Sequence, residues 1–325
     1  MSAQRRLVLA GDVGGTHARL ALFEAAESPP IALEIAPSEE ADGLEPIVKR
    51  FLEQHPAEPV AASFGVAGPV HNGRTDAVNL AWPVDAAELR AALGIEAVAV
   101  INDLEANGWG IPSLRPDDLH VLASGEPVAG GSIALISAGT GLGEAFVTYE
   151  NGEARVHSSE GGHVDFAPRT PLQDELRQAL AGEDEHLSYE DVCSGRGLVS
   201  VHEFLCRRSG DASGELDAEA ITNAALAHEE GHAAEALELM IAIYGAAAGN
   251  LALTVRAAGG VYLGGGIPPK ILPALDAGGF LDAFRAKGRL RPMVERVPVT
   301  VILNELTALI GAARHAFTAA DRGQA

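Results

Sequence analysis

The pattern strand, glycine turn, strand occurs twice in this chain, and it narrows the possible folds more than any other feature. Leu7-Val8-Leu9-Ala10 leads into Gly14-Gly15 and on to residues 18–23, where Leu20 and Leu22 share one face at the period of two expected of a half-buried strand. Residues 133–136, the turn Ala138-Gly139-Thr140-Gly141 and residues 144–149 repeat it, with Gly14-Gly15-Thr16 matched by Ala138-Gly139-Thr140. Around the first copy, residues 44–54 carry Leu44, Ile47, Val48, Phe51 and Leu52 at helical spacing, and residues 31–35, 60–66 and 97–101 read as strands. Asp85 suits the N-cap of a helix over 86–93. After the second copy, the span from about 170 to 258 is mostly helical. A strand at 261–263, another at 297–303 and a last helix from about 305 to 319 follow. Strands alternating with helices predict an α/β protein, and the repeated unit predicts a duplication. No low-complexity linker is visible, so two neighbouring domains with a cleft between them are expected.

Charge restricts the partners. Asp and Glu number 45 against 23 Lys and Arg, a net charge of −22. Nucleic acids and anionic membrane surfaces are bound by clustered Lys and Arg, so both are excluded as partners. An anionic substrate must be captured mainly by backbone N–H groups and a metal ion. The three lysines, Lys49, Lys270 and Lys287, stand in no G-x-x-x-x-G-K-[ST] loop. Cys193 and Cys206 are too few for a disulfide framework and form no C-x-x-C motif. Four apolar residues before Gly11-Asp12 are too few for a signal-peptide core, and the longest uncharged run, residues 239–255, is shorter than a membrane span. A soluble, cytoplasmic protein is expected.

Several segments offer chemistry. The turn Gly11-Asp12-Val13-Gly14-Gly15-Thr16 follows a strand directly. Adjacent glycines let the backbone take a positive φ and come close to a ligand, successive N–H groups make an anion-binding nest, and Thr16 adds a hydroxyl. Asp12 beside a phosphate implies an intervening cation, and Mg²⁺ favours one or two carboxylates with phosphate oxygens. A plain hairpin turn with a capping Asp explains the same residues. Gly139, Thr140 and Gly141 repeat this physics, and Gly264-Gly265-Gly266 allows close approach of a flat ring such as adenine, or is a tight strand–helix turn. Asn102-Asp103 ends an apolar strand, where a carboxylate can accept a proton from an attacking hydroxyl, or cap a following helix. Glu160, His163 and Glu190 lie in glycine-rich or polar surroundings and, with Asn102 and Asp103, are of the types that hydrogen-bond sugar hydroxyls; singly, each reads more simply as a solvated or satisfied side chain. His228-Glu229-Glu230-Gly231-His232 matches H-E-x-x-H, but Gly231 interrupts the helix that a zinc site of this kind needs, so a loop between two helices is expected.

Asp12-x-Gly14-Gly15-Thr16-x-x-Arg19, Gly65-x-Ala67-Gly68-Pro69, Asn79-Leu80-x-Trp82, Asn102-Asp103, Gly139-Thr140-Gly141-Leu142-Gly143, Glu160-Gly161-Gly162-His163-x-Asp165-Phe166 and Gly264-Gly265-Gly266-Ile267, in this order, resemble the bacterial glucokinase family over nearly the whole chain. The resemblance implies the two-domain actin-like (ribonuclease H-like) sugar kinase fold with an interdomain cleft: a small α/β domain over 1–112 plus 304–325 and a large one over 113–303. It implies ATP-dependent phosphorylation of glucose at its 6-hydroxyl, with Asp103 as base and Asn102, Asp103, Glu160, His163 and Glu190 on the sugar. ATP would lie on Gly11, Asp12, Val13, Gly14, Gly15, Thr16, Gly139, Thr140, Gly141, Gly264, Gly265 and Gly266, with Mg²⁺ held by Asp12 through water. A homodimer is implied as well. His17, where Asn is usual, Val78, where Thr is common, and the lack of a glycine within Leu306-Thr307-Ala308-Leu309 depart from the pattern. The zinc motif and DNA-binding segment of related sugar-responsive repressors are absent from this sequence, which counts against a regulator. A kinase for another hexose or amino sugar, and a non-catalytic sugar sensor, are the alternatives.

Overall fold

The computed structural model describes residues 6–39, 41–75, 80–181, 186–212, 214–227 and 231–323. The chain forms two compact units: Met1–Pro116 with Val156–Ser158 and Asn304–Ala325, and Asp117–Arg155 with Ser159–Leu303. The first opens with β1 (Val8–Val13), β2 (His17–Phe23), β3 (Ala32–Pro37), α1 (Leu44–Gln54), β4 (Ala61–Val66) and the short β5 (Arg74–Thr75) and β6 (Val84–Asp85). It continues with α2 (Ala86–Leu93), β7 (Ala97–Asn102) and α3 (Asp103–Gly110). The second holds β8 (Leu119–Ala123), β9 (Ile133–Ala138), β10 (Leu142–Glu150), β11 (Glu153–Ser159) apart from its Val156–Ser158, α4 (Pro171–Leu180), α5 (Gly195–Ser209), α6 (Ala218–Leu226) and α7 (His232–Val255). There follow β12 (Gly260–Gly264), α8 (Leu272–Asp276), α9 (Gly279–Arg285), α10 (Arg291–Val294) and β13 (Val299–Ile302), before α11 (Thr307–Gly323) returns to the first unit.

The duplication read from the two glycine turns is visible in the topology. The first sheet has the order β3-β2-β1-β4-β7, and the second has β11-β10-β9-β12-β13 with β8 added at its edge. In both, the strand after the glycine turn pairs antiparallel with the one before it, and the next two strands join parallel. The sheets therefore share one strand order, third-second-first-fourth-fifth. Within these two sheets, β8 and β11 are the strands that periodicity does not reveal. Both are sheet edges with no fully buried residue, so neither needs the apolar run that marks a central strand.

Burial on both faces explains the apolar runs of the central strands. On one face of the first sheet, Leu9, Leu20, Leu22, Phe64 and Val66 pack with Leu44, Ile47, Val48 and Phe51 of α1. On the other, Val8, Ala10, Ala21, Phe23 and Ala61 meet Leu309, Ala312, Ala313 and Ala316 of α11. The alternation of β1 residues between these clusters is the period of two acting on both sides at once. In the second unit, α7 is long and apolar enough to cross a membrane, yet most of it is buried in that unit's core, against Ile136, Val261 and Phe280 among others. The predicted Asp85 cap holds: its Oδ1 accepts from the N–H groups of Ala87 (2.7 Å) and Glu88 (3.2 Å).

α3 and α11 approach so closely that glycine is required on both. A Cβ at Gly311 would strike the Ala106 carbonyl oxygen, and one at Gly110 would strike that of Thr307. Gly311→Ala must push the helices apart, so a loss of about 1–3 kcal/mol is expected from overpacking. Thermal unfolding checks this, and an unchanged Tm would show that the crossing can relax.

Candidate active site

In the first unit, three parallel strands bring the candidate groups to their carboxyl ends. Asp12 lies beside Gly65, and Val66 beside Asn102, in the β1–β4–β7 register. Carboxyl ends of strands are where open α/β sheets receive ligands. Gly65 lets α3 sit over the sheet, because a Cβ there would lie 2.7 Å from the Ala106 Cβ. Asn102, with only 8 % of its surface exposed, is the N-cap of α3: its Oδ1 accepts from Leu104 N (2.9 Å) and Glu105 N (3.2 Å), and its Nδ2 donates to Gly68 O (3.0 Å). Capping therefore falls to Asn102, and Asp103 is the first helical residue, half-buried, with its Oδ1 accepting from Leu104 N at 3.0 Å. After these bonds, Asn102 retains one amide hydrogen for a ligand.

The turn after β1 behaves as a hairpin turn. Gly14 N donates to His17 O (2.9 Å), and neither Gly14 nor Gly15 takes a positive φ. The expectation that these glycines serve by a left-handed backbone is thus corrected; Gly11 serves by space, since a Cβ there would strike the Phe64 ring. Asp12 faces Arg19 across β1 and β2, with Nη1 to Oδ2 at 3.0 Å. Burial raises the Asp12 carboxyl above the usual range, and Arg19 opposes that rise. Arg19 takes one oxygen and leaves Oδ1 without a hydrogen bond among the described residues. One free carboxylate oxygen fits a hard cation that is otherwise held by phosphate and water. Composition alone hides Arg19 as the partner of Asp12; pairing the two strands about the Gly14-Gly15 turn would have found it.

In the second unit, four candidate segments converge. Gly265 takes φ 86°, and a Cβ there would strike Ala138 O, so the triple-glycine turn lies against the turn that holds Gly139. Of the candidate glycines it alone has a positive φ. Ile267 N also donates to Ala138 O (3.1 Å). Gly139 and Gly266 have open space beside them. Glu190 Oε2 accepts from Leu142 N at 2.9 Å, and a side chain at Gly141 would collide with that carboxylate. The Glu160–His163 segment runs beside it: Glu190 N donates to Gly162 O (2.9 Å), and His163 Nε2 stands 4.0 Å from Glu190 Oε2. The candidate sugar and phosphate segments of this unit are in direct contact. Glu160 is exposed and its carboxylate has no hydrogen-bond partner among the described residues.

Two further charged groups stand here. Arg196, in the first turn of α5, approaches Glu190 Oε1 at 3.4 Å. Glu144, buried on β10, abuts Gly161, and burial pushes its carboxyl up to about 7. Neither belongs to a motif, and only the folded turn brings them to these positions. Of the H-E-x-x-H match, His228, Glu229 and Glu230 lie outside the described residues, as do Val78 and Asn79; His232 opens α7 and bonds Asp211 at 2.9 Å. Among the described residues no cluster of three or more His, Cys, Asp or Glu could hold a metal.

The structure is similar to a ROK family glucokinase from Streptomyces griseus, with a TM-score of 0.68 at 19 % identity over 96 % of this chain and 99 % of that one. A glucokinase from an Antarctic psychrotroph superposes with a TM-score of 0.87 at 32 % identity, covering 97 % of this chain and all of the other. The fold is that of the actin-like sugar kinases. The model of the glucokinase family matches residues 9–319, and the glucokinase of Nostoc punctiforme is 40 % identical over 94 % of this chain and 98 % of its own length. The chain belongs to the glucokinase family.

Proposed function

We propose that this protein transfers the γ-phosphoryl group of ATP to the 6-hydroxyl of glucose. Family membership along 9–319 carries the reading, and the candidate groups at strand ends and turns support it. Asp103 accepts the proton of the 6-hydroxyl as its oxygen attacks. The remaining Asn102 amide hydrogen, Glu160, His163 and Glu190 hold sugar hydroxyls. Gly11, Asp12, Val13, Gly14, Gly15 and Thr16, with Gly139, Thr140 and Gly141, line the phosphates, which are held by the Thr16 and Thr140 hydroxyls and by turn N–H groups other than those of Gly14 and Gly139, which bond within their own turns; Gly264, Gly265 and Gly266 lie along the adenosine. Asp12 would hold Mg²⁺ through water with its unbonded oxygen; the ion neutralises phosphate charge when bound. Water is excluded when substrates are enclosed, which limits wasteful hydrolysis of ATP. The protein acts in the cytoplasm and as a homodimer in this reading.

Sugar-dependent ADP release from Mg-ATP, measured with glucose, mannose, fructose, N-acetylglucosamine and no sugar, tests it. Turnover with glucose alone is expected. Turnover with a different sugar keeps the chemistry and changes the substrate; sugar binding without any turnover would make the protein a sensor. Glu160→Gln removes an acceptor rather than the base, so it should raise the glucose KM by about tenfold, in the range for a hydrogen bond to a charged group, with a smaller change in kcat. An unchanged KM would take Glu160 off the sugar.

A further inference from the structure

His163 and Glu190 are carried on two short segments that pair with each other. Phe166 N donates to Leu187 O (2.7 Å), Tyr189 N to Val164 O (3.2 Å) and Glu190 N to Gly162 O (2.9 Å), with Asp165 opposite Ser188. Neither segment belongs to a sheet, so something else must fix this ribbon. Its anchor is Tyr189, 4 % exposed, whose ring meets Phe166 edge-on at 5.7 Å. The Tyr189 hydroxyl accepts from Asn250 Nδ2 on α7 at 3.1 Å, and the Ala167 N–H is directed at the same oxygen. Asn250 is oriented in turn: its Oδ1 accepts from Lys287 Nζ at 2.5 Å, and the same ammonium donates to Ala246 O at 2.8 Å. Gly249 makes the route possible, because a side chain there would crowd Lys287 Cε and Phe284 O. From the other end of the ribbon, Arg169 donates to Ala283 O (3.0 Å) and Ala286 O (3.2 Å) at the end of α9.

We infer that Lys287 and Asn250 are positioning residues for sugar recognition, holding His163 and Glu190 in register through the Tyr189 hydroxyl. Neither touches substrate. The amide of Asn250 has to present its oxygen to Lys287 and its nitrogen to Tyr189; a lysine without its charge no longer enforces that orientation as strongly. Burial, aided by Arg169, pushes Lys287 down to about 8. The charged and titratable groups acting on this chain of bonds are Arg169, from the segment before α4, the Tyr189 hydroxyl, itself raised by burial, and the buried Cys193 thiol, which raises that hydroxyl further. Since the ammonium is lost as pH rises through about 8, the ribbon loosens on the alkaline side.

The inference rests on the sugar-kinase reading, so its test reads binding separately from turnover. Glucose affinity is measured by titration calorimetry from pH 7 to pH 9.5 on the full chain, with steady-state kinetics alongside. Wild type should bind glucose about tenfold more weakly at the alkaline end, the size of one charge-assisted hydrogen bond. Lys287→Met should show that weakness already at pH 7, as a raised glucose KM with ATP KM little changed. Lys287→Arg should keep the affinity and abolish the alkaline loss, because a guanidinium stays protonated throughout. The alkaline loss persisting unchanged in Lys287→Arg, or Lys287→Met binding glucose like wild type, would overturn it. If Lys287→Met does not fold, the pH profile of Lys287→Arg decides alone. Glucose binding without turnover in wild type sinks the kinase reading, while the same titration still decides this one.

Discussion

Replacing Asp103 by alanine is expected to lower kcat at least about 10²-fold, the range for loss of a general base. The expectation follows from where the carboxylate is held. Asp103 is the first residue of α3, where the exposed N–H groups favour an anion, and the Leu104 N–H fixes one of its oxygens at 3.0 Å. Phosphoryl transfer passes through a loose transition state in which positioning matters more than early proton transfer, so a fixed anionic acceptor suits it. The helix does not depend on this side chain, because Asn102 caps Leu104 and Glu105. Asp103→Ala should therefore fold with a Tm close to wild type and bind glucose with modest loss. Asp103→Asn, which keeps the shape and loses the basicity, should be as slow. A folded variant with near-normal kcat would remove Asp103 from the role of base.

The second large effect concerns stability. Glu144 is 8 % exposed and lies against Gly161, with no hydrogen bond to its carboxyl among the described residues. Burial raises it from 4.5 to about 7. Between those values the folded protein keeps a proton that the unfolded chain releases, so stability falls as pH rises from about 4.5 to about 7 and is level above. The shift corresponds to about 3 kcal/mol. Glu144→Gln cannot ionise, so its stability relative to wild type should increase by that amount between pH 4 and pH 8. Urea unfolding at the two pH values measures it. The same difference at both would show that folding does not raise the Glu144 carboxyl.

The two effects contrast in how they can be read. Asp103 stands out in the sequence because a carboxylate ends an apolar strand, and the strand end is where ligands meet α/β sheets. Glu144 stands three residues beyond a glycine turn and looks like any charged residue on a half-buried strand. Its character comes from Gly161, 17 positions away, lying over it once β10 and the Glu160–His163 segment fold together. Arg196 is a similar case, an ordinary surface type in sequence and a partner of Glu190 in space; Arg19 closes the first motif, but its pairing with Asp12 shows only once β1 and β2 lie together. Asn102 shows the converse error, since the sequence offered the cap to the Asp103 carboxylate and the fold assigned it to Asn102.

What the sequence determined by itself is the local and the repeated: strands from period two, helices from periods of three and four, the Asp85 cap, and a duplication announced by two matching glycine turns. Each of these depends on neighbours in the chain, whose geometry is fixed by covalent structure and backbone sterics. The ordered motifs likewise identified the family. Tertiary packing alone settles which glycines serve by space rather than by φ, which carboxyl is desolvated, and that a lysine on the loop after α9 is linked through Asn250 to the tyrosine beside Glu190. Those properties depend on what a side chain meets after hundreds of residues have packed, and burial and charge act through space, without regard to separation along the chain.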